Sequence, residues 1–394
     1  MNSENDGKLK KQKHQLSKIY KKTNVYEEAL NRIRYLFDEF PNIVVEVSGG
    51  KDSTIVFNLA LIIAREKNRL PLKVMFIDQE AEWEATVNMI KTIMYNPDVQ
   101  PYWFQIPIKL LNATSEREQW LHCWEPEREK DWIHPQDPIS IKENIYGTDR
   151  FVNLFTAISN VEFKDQKTAY LAGVRTDESP TRLLSLTGSV TYNWITWGRV
   201  TNSRLQHYTF YPIYDWGVSD VWKAINDNKW PYNSIYDAQF RYGVPIQKMR
   251  VSNIHHETAV SSLFYLQEME PQTYQKLTNR IGGIDMAGKM GVDNYFVKDL
   301  PFMFSTWKEY RDYLLSVLFT DEKTKATFKK EFDTMDNIYG LEMGDDVAKI
   351  HIQSMLANDI ELTKVRSFKA RPKNYQVKVR YREKVRAEKE AQAA

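Results

Sequence analysis

The chain has 394 residues and a formal net charge of +2, with 42% hydrophobic and 27% charged residues. This length and apolar content exclude a wholly disordered chain and predict two domains or one large domain with additions. The longest apolar run, Leu59 to Ala64, is far shorter than the roughly 20 residues that span a bilayer. The start of the chain lacks an apolar signal segment, and the single cysteine, Cys123, excludes an intramolecular disulfide or a cysteine-rich metal site. We therefore expect a soluble, cytoplasmic protein without a membrane partner.

Positive charge is concentrated near both ends of the chain. Residues 8–22 hold seven lysines and no acidic residue, and residues 364–389 hold eleven lysines or arginines against two glutamates. Such segments attract polyanions by releasing counterions, so nucleic acid is one expected partner. Solvated, poorly ordered termini explain the same composition equally well. We define a basic N-terminal arm over 1–24 and a basic tail over 367–394.

Between these ends, strands and helices alternate along the first half of the chain. Apolar periodicity and β-branched runs predict strands over 43–47, 73–78, 103–108 and 169–174, and helices over 25–40, 54–66 and 82–95. This alternation favours a parallel α/β sheet with flanking helices. After Tyr211 the pattern becomes mainly helical. We expect an α/β domain over 25–225 and a mainly helical region over 226–366, followed by the basic tail.

The most informative segment is a turn between the first predicted strand and the next helix. It reads Ser-Gly-Gly-Lys-Asp-Ser-Thr over 48–54. Glycines let the backbone approach an anion, and the free N–H groups at a helix start favour phosphate oxygens. Lys51 adds a positive charge and the hydroxyl residues add donors. The spacing matches neither the Walker ATPase loop nor the Gly-x-Gly-x-x-Gly dinucleotide loop.

A carboxylate in the middle of this turn needs a separate explanation. Asp52 would repel phosphates unless a cation lies between them. Magnesium ions commonly bridge one carboxylate and the phosphates of a nucleotide. The sequence therefore predicts a phosphate-containing ligand together with Mg²⁺, with Asp52 as the protein ligand of the metal.

The turn over 48–53, placed after a buried strand, resembles the pyrophosphate loop (PP-loop) of the N-type ATP pyrophosphatases, or adenine nucleotide α-hydrolases. Within them it is most similar to the PAPS reductase family. Three later segments support this resemblance in the family's order: 73–80, 171–182 and 211–222. They resemble the strand whose end meets adenosine, the Gly-x-Arg loop with its second arginine, and the Pro-x-x-Asp-Trp segment. The resemblance covers about residues 25–250 and implies a PP-loop α/β fold.

Roles for individual residues follow from the resemblance. It implies a phosphate and nucleotide site made by Ser48, Gly49, Gly50, Lys51, Asp52, Ser53, Thr54, Asp78 and Gly173, and catalytic roles for Lys51, Asp52, Arg175 and Arg182. From the residues alone, Arg175 directly follows a predicted strand, where open α/β sheets bind ligands, and arginine suits bidentate phosphate contact. Two alternatives stay open. The loop arginines could form surface ion pairs with Asp177 or Glu178, and Asp78 could be an ordinary turn residue.

The sequence also departs from the family pattern. Sulfonucleotide reductases carry a catalytic cysteine near the C-terminus, and no cysteine follows Cys123 here. Thiol chemistry is therefore disfavoured. The implied reaction is cleavage of ATP between the α- and β-phosphates, which releases pyrophosphate and leaves an adenylated substrate. Such a step depends on positioning and charge neutralisation more than on a protein nucleophile.

Segments between Trp230 and Gly283 resemble the IbrA-type branch of this family, whose members are prophage- and plasmid-associated co-activators of gene expression. Genes of that branch commonly lie beside a gene for a ParB/sulfiredoxin-like protein, which implies such a partner acting on or near DNA. A non-catalytic, nucleotide-gated regulator that binds DNA or this partner is the alternative to an enzyme. Relatives often self-associate, but no heptad pattern here decides the oligomeric state.

Overall fold

The structure is a computed structural model that describes residues 22–112, 120–187, 190–251, 254, 266–284, 299–319, 321–356 and 359–393. Most of the predicted basic N-terminal arm, up to residue 21, lies outside these ranges. Among the helices that are described, none combines the length and the apolar character needed to cross a bilayer.

Six strands form one mixed sheet in which most neighbours are parallel. In chain order, the strands of the structure are β1 (Asn42–Glu46), β2 (Leu72–Ile77), β3 (Val99–Phe104), β4 (Ile108–Leu111), β5 (Trp120–Cys123), β6 (Thr168–Leu171), β7 (Gly198–Asn202) and β8 (His207–Phe210). The order across the sheet is β3-β2-β1-β6-β8-β7. Within this sheet of described strands, β7 and β8 pair antiparallel and the other neighbours are parallel, while β4 and β5 form a separate antiparallel ribbon. The predicted parallel core of the sheet is confirmed, with β1 at its centre.

Helices flank this sheet and make up the C-terminal part of the chain. They are α1 (Val25–Glu39), α2 (Lys51–Glu66), α3 (Glu84–Met94), α4 (Phe151–Glu162), α5 (Pro180–Thr187), α6 (Val218–Asn228), α7 (Ile235–Arg241), α8 (Pro271–Arg280), α9 (Trp307–Leu318), α10 (Glu322–Leu356), α11 (Thr363–Ala370) and α12 (Pro372–Ala393). The predicted helical C-terminal region is confirmed. The basic tail continues this pattern, because α12 begins at Pro372 and runs through it.

Two apolar layers enclose the sheet, and β1 contributes to both. Ile43 and Val45 pack in the layer formed with α1 and α2, whereas Val44 faces the opposite layer with Phe104 and Tyr170. Alternate residues of a strand point to opposite faces, so a short β-branched strand fits this central position. Burial on both faces fixes the end of β1, where the predicted turn begins.

The strand predicted over 103–108 is divided differently in the structure. β3 ends at Phe104, and the amide N–H of Gln105 instead donates to the carbonyl of Ile141. Pro107 has no N–H to continue the ladder, and β4 starts directly after it. The chain therefore leaves the main sheet here and forms the β4–β5 ribbon, which the sequence analysis did not predict.

A buried polar cluster lies in the C-terminal helices. The Arg311 guanidinium, 2% exposed, donates to both carboxylate oxygens of Asp336 at 2.8 and 3.0 Å. His351, 0% exposed, stacks on Phe332 with ring centroids 4.2 Å apart. Burial, with repulsion from Arg311, lowers the pKa of His351 to about 3. The imidazole is therefore neutral in the folded protein.

This histidine should make the stability of the protein pH-dependent. Below pH 6.5 the unfolded chain protonates His351 while the native state does not, so the free energy of unfolding falls as the pH falls. The slope from this group approaches about 1.4 kcal/mol per pH unit and is absent above its unfolded pKa. Urea unfolding of wild type and His351→Gln, at several pH values from about 7.5 to about 5, measures how the free energy of unfolding depends on pH in each protein. Parallel stability curves for the two proteins would contradict the prediction, and His122→Gln, at an exposed strand position, is the control.

Candidate functional site

The turn between β1 and α2 requires glycine at the first of its two glycine positions. Gly49 has φ +68°, and a Cβ at this position would lie 2.7 Å from the Cγ2 atom of Thr86. Gly50 is the N-cap of α2 and has an extended backbone conformation. The first turn of α2 consequently starts at Lys51 with its backbone N–H groups at the carboxyl edge of the sheet. This is the geometry that the sequence motif predicted.

Hydroxyl groups hold the turn in shape. The Ser53 hydroxyl accepts the backbone N–H of Ser48 and donates to the carbonyl of Gly50, both at 3.1 Å. The Thr54 hydroxyl donates to the same carbonyl at 2.9 Å, and Thr54 is 1% exposed. Ser48 and Ser53 line the cleft above the turn, whereas Thr54 does not. Thr54 thus shapes the turn from below.

Three charged side chains form a buried chain beside the turn. The Asp52 carboxylate accepts from Arg175 Nε at 2.6 Å through Oδ1 and lies 3.1 Å from Lys51 Nζ through Oδ2. Lys51 and Arg175 are 4% and 3% exposed. Burial lowers the pKa of the Lys51 ammonium, and the nearby positive charge of Arg175 acts in the same direction while Asp52 opposes it. The structure thus brings three of the four predicted catalytic residues into direct contact.

Arg175 makes its shortest ionic contact with Asp52. Its guanidinium also lies 3.8 Å from Asp177 and 3.7 Å from Glu178. For Arg175, the predicted alternative of a surface ion pair is therefore present only as a longer contact of a buried side chain, whereas Arg182 forms that ion pair. Arg182 is more exposed and forms an ion pair with Glu178 one helical turn away.

Gly173 allows the loop after β6 to approach α2. A Cβ at this position would lie 2.5 Å from the backbone nitrogen of Ser53 and 2.6 Å from the carbonyl carbon of Asp52. Any larger residue would force these two segments apart, since real Cβ contacts are not this short. Because Arg175 follows two residues later, Gly173 sets the distance over which Arg175 reaches Asp52.

A polar cleft of about 660 Å³ opens above these residues. Its lining includes four cationic side chains, Lys51, Arg175, Arg182 and Arg250, against the carboxylates of Asp52, Asp177 and Glu178. Burial lowers the pKa of Arg182, and repulsion from Arg175 and Arg250 adds to the effect while Asp52 opposes it. Cations that repel one another at a helix N-terminus favour a multiply charged anion.

One wall of the cleft comes from residues far along the chain. Tyr236 is not part of the sheet, yet its hydroxyl accepts the backbone N–H of Lys51 at 3.0 Å. The carbonyl of Met249 accepts from Lys51 Nζ at 3.2 Å, and Arg250 lines the same wall. Sequence reasoning did not predict these residues as site residues. The only signal in their segment is its resemblance to the IbrA-type branch. No motif spacing relates this segment to the turn over 48–54.

Asp78, predicted to contact adenosine, lies outside the lining of this cleft. Its carboxylate is 0% exposed and accepts from the Trp103 indole at 3.0 Å and the Gln105 amide at 2.9 Å, and His134 lies 3.4 Å away. Burial alone would raise the pKa of Asp78, but His134 and the hydrogen bonds hold it below its usual value. The side chain braces the end of β2, and a contact between this strand end and adenosine stays a prediction.

The acidic residues allow a test of the predicted magnesium site. In the part of the chain that the structure describes, no group of three or more His, Cys, Asp or Glu side chains is arranged to hold a metal ion. Magnesium usually binds one or two carboxylates and completes its octahedron with phosphate oxygens and water. Asp52, which lines the cleft at the helix start, fits that mode. The described side chains do not offer a site that would hold a metal ion without phosphate oxygens.

The family model described as phosphoadenosine phosphosulfate reductase domain matches residues 42–284, more than half of the chain. The chain belongs to this family. A second model, a domain of unknown function named DUF3440, matches residues 243–392. The two matches overlap over 243–284, and the segment from Gln247 to Val251 that lines the cleft lies inside the overlap.

A curated relative and several solved structures are also similar to this family member. The uncharacterised protein YbdN of Escherichia coli (strain K12) is 28% identical over 401 residues, which cover 93% of this chain and 95% of the relative. The PAPS reductase of Candida auris in complex with phosphate matches with a TM-score of 0.32 and 14% identity over 54% of this chain and 84% of that one. The FMN adenylyltransferase of Candida glabrata with FMN and an ATP analogue matches at 0.34 and 15%, over 56% and 64%.

The cysteine of this PAPS reductase family member is not placed for thiol chemistry. Cys123 is 1% exposed on β5, and its thiol donates to the carbonyl of Gln79 at 3.1 Å. Burial raises the pKa of the thiol well above its usual value, and the negative charge of Glu80 adds to the effect. A protonated, buried thiol is a poor nucleophile.

Replacing Gly173 by alanine should disrupt the site. The added Cβ forces the loop after β6 away from α2, so we expect a loss of about 1–3 kcal/mol in stability and weaker binding of inorganic pyrophosphate. Thermal unfolding and calorimetric titration measure the two effects. The control is Gly340→Ala, where the nearest atom to the new Cβ is 4.0 Å away and the site is a helix. A Gly173→Ala protein with wild-type stability and binding would show that this approach is not required.

Proposed function

We propose that this protein binds ATP at the PP-loop and cleaves it between the α- and β-phosphates, releasing pyrophosphate and adenylating an acceptor. The observation that carries the proposal is the convergence of Lys51, Arg175, Arg182 and Arg250 on one polar cleft at the start of α2. Three carboxylates do not neutralise these four cations. A triphosphate supplies the missing negative charge and enough oxygens to meet several donors at once.

Each of these residues has a distinct role in the proposal. The first turn of α2 and the turn before it present N–H groups to the phosphates. Lys51, buried beside the turn, acts in a region of low dielectric, where its charge stabilises developing negative charge more strongly than in water. Arg182, exposed at the mouth of the cleft, neutralises the leaving pyrophosphate. Arg175 keeps Asp52 in place through its 2.6 Å contact.

Asp52 is the proposed protein ligand for Mg²⁺. When bound, the ion would offset the negative charge of the phosphates. The carboxylate would then exchange one of its present cationic neighbours for the metal, and Lys51 is the more movable of the two because its side chain is flexible. Arg175 would continue to fix the other oxygen.

The alternative is a nucleotide-gated regulator that binds DNA or a ParB/sulfiredoxin-like partner without turnover, as the IbrA-type resemblance implies. The cleft wall at Met249 and Arg250 belongs to the segment that leads into the C-terminal helices. At the far end of these helices, α12 exposes the cations Arg382, Lys384 and Arg386. A ligand in the cleft would therefore touch the segment that precedes the C-terminal helices in the chain.

Turnover of α-³²P-labelled ATP with Mg²⁺, with and without DNA, tests the enzymatic proposal. We expect labelled AMP or an adenylated product together with pyrophosphate, and a loss of at least about a hundredfold in Lys51→Ala and Asp52→Ala. Lys67→Ala at the other end of α2 is the matched control, because its ammonium pairs with Asp38 at the surface. Pyrophosphate release that is unaffected by Lys51→Ala would refute the assignment. Tight ATP binding without cleavage favours the regulator.

The proposed DNA contact predicts a steep salt dependence. Replacing Arg382, Lys384 and Arg386 by glutamine should flatten the log–log plot of DNA affinity against salt by about 0.9 for each lost phosphate contact. Fluorescence anisotropy with a short duplex measures it. Three glutamines at Lys323, Lys329 and Lys330 on α10 remove the same charge elsewhere and serve as the control. An equal change in both triple variants would show only a general charge effect and would argue against a DNA contact at α12.

A further inference from the structure

Tyr236 lies at the junction between the PP-loop and the C-terminal wall of the cleft. The side chain belongs to α7 and is 3% exposed. Its ring packs edge-on against Trp222, with centroids 5.4 Å apart, and the Lys51 ammonium lies 5.4 Å from the ring centroid. These contacts fix the orientation of the ring, and hence the position of its hydroxyl at the start of α2.

The hydrogen bonds of this hydroxyl use its oxygen as an acceptor. They leave its proton without an acceptor among the residues that the structure describes. The oxygen accepts the backbone N–H of Lys51 at 3.0 Å and also the backbone N–H of Val251. A phenol oxygen has two acceptor sites and one proton to donate. Among the residues that the structure describes, no acceptor receives that proton. Burial raises the pKa of the phenol, with the Asp52 carboxylate acting in the same direction, so the group stays protonated at neutral pH.

A ligand in the cleft would offer this proton an acceptor. Tyr236 is one of the lining residues, together with Gly50, Lys51 and Arg250. Its oxygen lies only 3.5 Å from the position that a Cβ on Gly50 would occupy, so the hydroxyl lies against the N-cap of α2. A buried donor without an acceptor is costly unless a ligand or water completes it. A ligand oxygen at the helix start would complete it.

We propose that the Tyr236 hydroxyl donates a hydrogen bond to a phosphate oxygen bound at the PP-loop and is therefore a phosphate-binding residue of this site. The inference rests on the proposed function and adds a donor to it. The backbone N–H of Lys51, at the positive end of α2, donates to the tyrosine oxygen. The hydroxyl then donates to the ligand, so two hydrogen bonds in series connect the helix start with the phosphate. Hydrogen bonds arranged in series in this way strengthen one another.

The same hydroxyl connects the ligand with the C-terminal segment. Val251 belongs to the wall that also supplies the Met249 carbonyl to Lys51. A phosphate that takes the phenol proton makes the oxygen a better acceptor for both backbone N–H groups. Occupation of the PP-loop therefore tightens the attachment of the segment over 249–251.

The test is the binding of inorganic pyrophosphate and of adenosine to wild type and Tyr236→Phe, by calorimetry at constant salt and pH. Phenylalanine keeps the ring contacts with Trp222 and Lys51 and removes only the hydroxyl. Loss of a hydrogen bond to a charged ligand should weaken pyrophosphate binding about tenfold or more and leave adenosine binding unchanged. The matched control is Tyr232→Phe. Its ring also packs on Trp222, at 5.5 Å, but its hydroxyl donates to Asp237 outside the cleft.

The possible results are distinguishable. Equal pyrophosphate affinity in wild type and Tyr236→Phe overturns this inference and leaves the proposed function standing. A parallel loss of pyrophosphate and adenosine binding, or a matching loss in Tyr232→Phe, shows a structural role and also overturns it. If wild type binds neither pyrophosphate nor ATP, both this inference and the proposed function fail. A selective loss of pyrophosphate binding at an unchanged melting temperature supports the assignment.

Discussion

The buried contact between Arg175 and Asp52 is the interaction on which the rest of the site depends. It joins the loop after β6 to the first turn of α2 across a distance of 2.6 Å, and the side chains of Arg175 and Asp52 are 4% and 12% exposed. Removing one partner of such a pair leaves an uncompensated buried charge and typically costs about 3–5 kcal/mol. The close approach of the two segments at Gly173 brings Arg175 within reach of Asp52. Arg175 and Asp52 both line the cleft, and Lys51 lies 3.1 Å from the other oxygen of Asp52.

This arrangement also explains why the cleft favours anions although it contains carboxylates. Asp52 is shared between Lys51 and Arg175, so its charge is already balanced inside the protein. Arg250 and Arg182 then add positive charge at the mouth, and Arg182 has a carboxylate neighbour, Glu178, in direct contact. A bound polyphosphate relieves the repulsion among these cations. Binding energy of this kind comes from charges that are held in place before the ligand arrives, which is how electrostatic catalysis works in general.

How far the sequence predicts such a site depends on the range of its contacts. The turn over 48–54 is predictable because strand, glycine turn and helix start are neighbours in sequence, and the parallel sheet follows from the alternation of strands and helices. Tyr236 contacts Lys51 from 185 positions away, so no local pattern could reveal it. Asp78 shows the opposite problem. The family resemblance implies a ligand contact for it, but Trp103, Gln105 and His134 converge on its carboxylate only in three dimensions.

The cleft wall over 247–251 affects where a domain boundary can lie in this chain. The PAPS reductase match and the match to the domain of unknown function overlap where Gln247 to Val251 meet the PP-loop. A division placed at the start of the overlap, before Met249, would separate Lys51 from the Met249 carbonyl and Tyr236 from the Val251 N–H. Both partners would then face water, and the helix start would lose the contacts that orient its lysine. The whole cleft lies inside the PAPS reductase match, and a ligand bound to the PP-loop also meets residues at the beginning of the second match.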